Sequence, residues 1–328
     1  MKVKINLIGG GTWGITLAYL LSKKTSIFVW QRSVKKTSYF SKTREHPNLK
    51  SFSIPSNISF TSSLDSIDFN NLTILAVPSH AIFDILSQSD LKKNGKFLIA
   101  SKGFDPNFSK LISEIMENSF NVNIDNIAVI SGPNHAEEVI HGMASATVIA
   151  SSNTNYAKEL QSLFSSDNFR AYTSDDIIGV QIGGAVKNII AIASGLCVGL
   201  KLGDNTQAAL VSRGMNEILN LTTIYNLNTK TLYGLSGLGD LIATCYSPYS
   251  RNRQLGVLIG KGYSLKDAKD EVKMISEGIN ACKILKNISD KHNLDMPICT
   301  QVYKILFEKS DPGDSLNHLM TRNLKDEN

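Results

Sequence analysis

The segment Gly9-Gly10-Gly11-Thr12-Trp13-Gly14 limits what this chain can be more than any other feature, because of what flanks it. It follows the apolar run Ile5–Ile8 and opens a helical pattern over Ile15–Ser22. A GxGxxG spacing alone is weak evidence. Between a strand and a helix each glycine has a physical reason: one allows a tight turn, one lets the backbone approach a diphosphate, and one lets the helix pack closely on the strand. The helix start then offers unpaired N–H groups and the positive end of its dipole to phosphates. The expectation is a dinucleotide site at Gly9, Gly11, Thr12, Trp13 and Gly14. Trp13 has two readings, packing beside the nucleotide or filling the corner between loop and helix.

Apolar runs recur after it: Val3–Ile8, Ile27–Trp30, Leu72–Val77, Phe97–Ala100 and Ile127–Ile130. Continuous apolarity marks strands covered on both faces, and their alternation with helical segments argues for a parallel sheet. Ala146–Ala150 and Phe169–Tyr172 are candidate edge strands, while the 30–60 region reads as loop with a short helix. From Ile177 onward only helical patterns remain, such as Asn205–Thr223 and Glu277–His292. The expected fold class is α/β: an N-terminal Rossmann-type, doubly wound parallel sheet (1–176) followed by an all-helical C-terminal domain (177–328). At the boundary Ser174 is a candidate helix cap, with Asp175 and Asp176 near the positive end of the helix.

A length of 328 residues suits two such domains. The net charge of +5 calls for no nucleic-acid partner, though it favours an anionic ligand in a cleft. Cys197, Cys245, Cys282 and Cys299 lie far apart without metal-ligand spacing, so buried reduced thiols are expected, and no metal. The N-terminus lacks the apolar core of a secretion signal. Ile177–Leu200 is apolar enough to pass for a membrane span, but Gln181, Lys187 and Asn188 interrupt it, and a buried helix is the better reading.

Candidate chemistry follows from position. After Trp30 the chain reads Gln31-Arg32, where selectivity for an unphosphorylated ribose calls for Asp or Glu; Arg32 leaves room for a 2′-phosphate, or is simply a surface arginine. Val77–His80, Ser101–Gly103 and Ser131–Glu138 fall beyond the carboxyl ends of strands, where open α/β sheets bind ligands. Lys187 is the single charge in its helical run, on a face with Gly184, Ala191 and Ser194. Burial lowers a lysine's pKa and suits proton exchange; pairing with a buried carboxylate is the alternative. Asp240 follows a glycine-rich turn, either capping a helix or serving the site. Ser250 is a plausible N-cap beside Arg251, whose fork fits a phosphate.

Together these segments resemble the bacterial-type NAD(P)-dependent glycerol-3-phosphate dehydrogenases. The resemblance runs nearly end to end through GGGTWG, AVPSH, SKGF, SGPNHAEE, GAVKNIIAIASG, GLSGLGDLIATC, SRNRQLG, ISEG and MPICTQVY. It implies a Rossmann domain and a helical domain with the active site between them. It implies Lys187 as catalytic acid/base, with Lys102, Gly132, Asn134, Asp240, Ser250, Arg251 and Asn252 around the substrate. Thr12, Trp13, Arg32, Lys102, Ala136, Arg251 and Glu277 stand as cofactor contacts. His135 fills a variable position of its turn. The implied reaction is reversible hydride transfer between NADPH or NADH and dihydroxyacetone phosphate, giving sn-glycerol 3-phosphate. A cytoplasmic enzyme of glycerophospholipid synthesis, not inserted in a membrane, is expected, with a homodimer left open. Competing readings are a ketopantoate reductase-like enzyme, which would lack the SRNR cluster, and a non-catalytic redox sensor, which would not need Lys187, Asp240 and Arg251 together.

Overall fold

The computed structural model describes residues 5–89, 95–273, 277–324 and 326. Val3 and Lys4 of the first apolar run, and Ile275 and Ser276 of the ISEG motif, lie outside these. Eight strands form one sheet: β1 (Ile5–Ile8), β2 (Ile27–Trp30), β3 (Ile58–Thr61), β4 (Thr73–Leu75), β5 (Phe97–Ile99), β6 (Ile127–Ser131), β7 (Ser145–Ala150) and β8 (Phe169–Ser174). Their order is β3-β2-β1-β4-β5-β6-β7-β8. Strand order therefore reverses beside β1, where a dinucleotide crevice is expected in such a sheet.

Alternate residues of each strand feed separate cores. Leu7, Leu98, Ala128 and Ile130 belong to one face, and Ile8, Phe97, Ile99, Ile127 and Val129 to the other. Both faces are covered, so the strands read as unbroken apolar runs.

Three expectations need correction. β3 and a ribbon pairing Glu45–His46 with Leu49–Ser53 occupy the region taken as mostly loop. β3 is an edge strand whose pattern alternates, and continuous apolarity could not find it. The sheet is also not wholly parallel, because β6 and β7 pair antiparallel. Finally, Asp176, not Ser174, caps the next helix: its carboxylate accepts the Gly179 N–H at 2.7 Å, while Ser174 Oγ accepts the Asp176 N–H at 3.1 Å.

Helix α1 (Thr12–Ser22) follows β1. After β8 the described chain is helical, and Ile177–Gly199, named α2, is buried almost throughout. Around it lie α3 (Gly203–Asn220), α4 (Asp240–Tyr246), α5 (Arg251–Gly260), α6 (Glu277–His292) and α7 (Pro297–Phe307). Length and hydropathy would let α2 cross a membrane, yet 89% of its most apolar window is buried inside the fold. Its polar residues are used internally: Gln181 Nε2 donates to Ser113 Oγ at 2.7 Å, tying α2 to the sheet side. A Cβ on Gly195 would stand 2.0 Å from Arg253 O, and one on Gly256 2.0 Å from Ile192 O. Helices α2 and α5 thus cross backbone to backbone, which fixes the Ser250–Asn252 segment relative to Lys187.

Candidate active site

A cleft of about 310 Å³ opens between the carboxyl ends of the strands and the helices. Gly11, Thr12, Trp13, Lys102, Asn134, Ala136, Lys187, Asp240, Ser250, Arg251, Asn252 and Glu277 all line it. Gly9, Gly14 and Gly132 lie just behind this lining. Arg32 is exposed past the end of β2 and outside the lining.

The three glycines of the first loop divide into two kinds. Gly9 has φ +120°, and a Cβ there would lie 2.5 Å from Ala76 O; a Cβ on Gly14 would lie 2.0 Å from Gly9 O. Those two are demanded by the fold itself. A Cβ on Gly11 would meet nothing within 4 Å. The fold itself does not require its bareness. Gly11 also begins α1 with no side-chain cap, so the first N–H groups face the cleft mouth. Trp13 Nε1 and Asn134 Oδ1 are buried without a hydrogen-bond partner among the described residues. An open glycine, uncapped amides and the unmet Trp13 N–H donor fit a dinucleotide diphosphate.

Deeper in, three elements deliver a charged cluster. Asp240, the first residue of α4, is 2% exposed. Lys187 Nζ donates to its Oδ1 at 2.5 Å, and Lys102 Nζ to its Oδ2 at 2.7 Å. Lys187 Nζ also reaches Thr244 Oγ1 at 2.7 Å, and Lys102 Nζ reaches Gly132 O at 3.2 Å. Ser131 Oγ adds a longer contact to Asp240 Oδ2 at 3.4 Å. Asp240 caps nothing; its carboxylate is committed to the lysines. The lysine–carboxylate pairing kept open as the alternative for Lys187 is present, and it lies in the cleft. Burial lowers the Lys187 ammonium to about 8, against the upward pull of Asp240 and with a further push down from Lys102. Burial works to raise the Asp240 carboxyl, but the two ammonium groups prevail and hold it below the usual range. A lysine near 8 beside bound substrate can give or take a proton near neutral pH.

The opposite wall is α5. Ser250 Oγ accepts the Arg253 N–H at 3.3 Å, so the expected cap is formed. Asn252 is a tie: its Nδ2 donates to Asn188 Oδ1 at 2.9 Å, and its Oδ1 accepts the Gly278 N–H at 3.2 Å. Arg251 and Arg253 are the half-buried charges of this wall. Glu277 stands half-buried at the start of α6. Burial pushes its pKa up to about 7, with Arg251 the strongest influence pulling down. His135 Nε2 lies 3.4 Å from Ala243 O, and its ring centroid 6.1 Å from that of Tyr249. These contacts join the two sides of the cleft mouth.

Sequence reasoning missed Thr244, Asn188 and Tyr249. Thr244 was findable, since it follows Asp240 by one helical turn and so shares its face. Asn188 and Tyr249 carry no such signal. Among the described residues, no group of three or more His, Cys, Asp or Glu side chains could hold a metal ion.

Comparison with known proteins agrees across the chain. A family model described as the N-terminus of NAD-dependent glycerol-3-phosphate dehydrogenase matches residues 4–157, and its C-terminus counterpart matches 176–317. The chain is 41% identical to the glycerol-3-phosphate dehydrogenase (NAD(P)+) of Clostridium botulinum strain Eklund 17B, covering 99% of each. It is 40% identical to that of Fusobacterium nucleatum over 98% of each. The crystal structure of glycerol-3-phosphate dehydrogenase from Coxiella burnetii superposes with a TM-score of 0.90 at 32% identity, over 98% of this chain and 99% of that one. With both halves matched and relatives of full length, the chain belongs to the NAD-dependent glycerol-3-phosphate dehydrogenase family and is an NAD(P)-dependent oxidoreductase.

Proposed function

We propose that Lys187 is the general acid/base of this glycerol-3-phosphate dehydrogenase, working in the reversible reduction of dihydroxyacetone phosphate to sn-glycerol 3-phosphate. When bound, the reduced nicotinamide supplies the hydride to C2. Lys187 gives a proton to the C2 oxygen as the alkoxide develops, and takes it back in the reverse direction. Asp240 holds the ammonium in place and sets its charge, while Lys102 stands as a second cation near the developing negative oxygen. The observation that carries this reading is the Lys187–Asp240–Lys102 cluster at the floor of the cleft, beside the open Gly11 loop.

Substrate phosphate binding is assigned to Arg251 and the N–H groups opening α5. Ser250 and Asn252 support that wall through their cap and ties. Gly132 and Asn134 line the substrate side. Gly9, Gly11, Thr12, Trp13, Gly14, Ala136 and Glu277 serve the cofactor, and Arg32, two residues past β2, is assigned to a ribose 2′-phosphate. In this scheme residues 1–176 form the cofactor domain and 177–328 the substrate domain; β8 ending at Ser174 and α2 starting at Ile177 support that division.

The reading extends to a cytoplasmic enzyme, not membrane-inserted, supplying the glycerol phosphate backbone for glycerophospholipids. Four buried free cysteines suit a reducing compartment. The test is oxidation of NADPH and NADH with dihydroxyacetone phosphate against ketopantoate. Turnover with the phosphorylated ketone is expected, and preference for ketopantoate would overturn the substrate assignment. In Arg32→Ala the KM for NADPH should rise far more than that for NADH; equal changes would refute the role of Arg32.

A further inference from the structure

Helix α4 carries Asp240 at its first position and Thr244 one turn later, and the chain leaves it after Tyr246. Pro248 has no N–H to continue the helix, and the Tyr249 N–H donates to Ser247 Oγ at 3.1 Å. Cys245 O therefore lacks the partner four residues on that a longer helix would supply. Cys245 is fully buried, so its carbonyl needs a partner from the protein interior. Two side chains meet that need. Ser194 Oγ of α2 donates to Cys245 O at 2.9 Å. Gln207 Nε2 of α3 donates to Ser194 Oγ at 2.7 Å and to Cys245 O at 3.3 Å. Ser194 is 0% and Gln207 5% exposed, so water does not compete for these bonds.

The register of α2 links this node to the Lys187–Asp240 pair. Ser194 follows Lys187 by about two turns of α2 and so shares its face. Along that face α2 holds α4 at two levels, Lys187 Nζ on Asp240 Oδ1 and Thr244 Oγ1, and Ser194 Oγ on Cys245 O. The Thr244 hydroxyl donates to Asp240 O at 2.6 Å, which leaves its oxygen lone pairs to receive Lys187. Thr244 and Cys245 are consecutive, so a shift of the last turn of α4 carries Thr244 with it, and a helix of 7 residues tilts as one piece.

We infer that Gln207 is a positioning residue for the Lys187–Asp240 pair, acting through Ser194 and the Cys245 carbonyl. Removing its amide frees the end of α4 and lengthens the contacts that Lys187 makes with Asp240 and Thr244. The inference rests on the reading that this pair moves the proton. Asp240 and Lys102 border Lys187 directly, and the Cys245 thiol lies behind it. His135, Glu137, Arg251 and Glu277 stand on the cleft walls. Gln207 and Ser194 are uncharged, so replacing them alters none of these charges, and a moved pH profile then reports geometry.

The test compares Gln207→Met, which keeps length and loses the donor, with Ser194→Ala and the double variant. The assay is kcat for dihydroxyacetone phosphate reduction against pH at saturating cofactor, beside NADPH dissociation constants and melting temperatures. Lengthening an ion contact from about 4 to about 5 Å, at an effective dielectric of about 20, lowers a lysine midpoint by roughly 0.6 pH unit. In Gln207→Met the fall in kcat, near pH 8 in the wild type, should move down by about that much. That shift alone makes kcat at pH 7.5 roughly twofold lower, with cofactor affinity unchanged. Ser194→Ala should move the profile in the same direction, and the double variant by less than the sum of the two. A lowered melting temperature with the profile unmoved marks a purely structural tie and overturns the proposal, as does a change in cofactor affinity alone or an additive double variant. If Gln207→Met does not fold, Ser194→Ala decides by the same profile. Asp240→Asn is the control. If its profile also stays near pH 8, the proton-transfer reading fails; if only its profile moves, the role of Gln207 fails.

Discussion

Replacing Asp240 by asparagine keeps the shape of the side chain and removes the charge on which two lysines converge. Lys187 Nζ lies 2.5 Å from one carboxylate oxygen and Lys102 Nζ 2.7 Å from the other. Two opposite unit charges about 4 Å apart attract by roughly 4 kcal/mol at an effective dielectric of about 20. One pKa unit corresponds to about 1.4 kcal/mol. The attraction is thus large enough to decide the protonation state of Lys187. In the wild type that group stands at about 8, where burial and Asp240 oppose each other. Without the carboxylate, burial and repulsion from Lys102 act unopposed, and Lys187 is neutral at pH 7.5. A neutral lysine cannot donate to the ketone oxygen, and loss of general acid catalysis costs about 10²–10⁴-fold. The assay is kcat for dihydroxyacetone phosphate reduction from pH 5.5 to 9.5, at saturating cofactor. Wild-type activity should fall as pH rises through about 8. In Asp240→Asn the fall should move to lower pH, with kcat at pH 7.5 down about 10²-fold or more. Cofactor titration and circular dichroism check that the variant is folded. A variant whose fall stays near pH 8, or whose kcat is unchanged, would refute the coupling.

Three further outcomes follow from particular contacts. Gly11→Ala should leave the melting temperature unchanged while raising the cofactor KM more than about tenfold, whereas Gly14→Ala should destabilise the fold, because only the second Cβ meets the protein's own backbone; similar effects in both would contradict the division drawn between them. Arg251→Ala should lower kcat/KM at least about tenfold for dihydroxyacetone phosphate and much less for unphosphorylated dihydroxyacetone; an equal fall for both would move phosphate binding to another group, Lys102 first. Glu217, 3% exposed, accepts the N–H groups of Ile298 at 2.5 Å and Cys299 at 3.0 Å, and burial pushes its pKa up to about 7. Between about 4.5 and about 7 the unfolded chain releases a proton that the folded chain keeps, so stability should decline as pH rises through that window. Urea midpoints should show that decline flattened by about 3 kcal/mol in Glu217→Gln; parallel profiles would refute it.

The sequence was most legible where one residue pattern admits one structure. The strand Ile27–Trp30 and the helix Glu277–His292 fall where periodicity puts them, and the buried lysine stands out as the single charge of an apolar helix. β3 escaped because Ile58 and Phe60 face inward on alternate positions of an edge strand, with serine and threonine between them. The direction of β7 escaped because apolarity records burial and not polarity of pairing. Ser174 and Asp176 were equally good caps by residue type, and only geometry chose between them. In the cleft, Lys187 and Asp240 announced themselves by chemistry, but their contact joins α2 to α4 across 53 positions, a distance no local pattern spans.

The central claim, that Lys187 moves the proton to and from C2, is tested most directly by separating binding from turnover in Lys187→Ala. The variant should fold, bind NADPH with unchanged affinity by fluorescence titration, and reduce dihydroxyacetone phosphate with kcat lower by about 10²–10⁴-fold. A folded variant with unchanged cofactor affinity and near wild-type kcat would contradict the account.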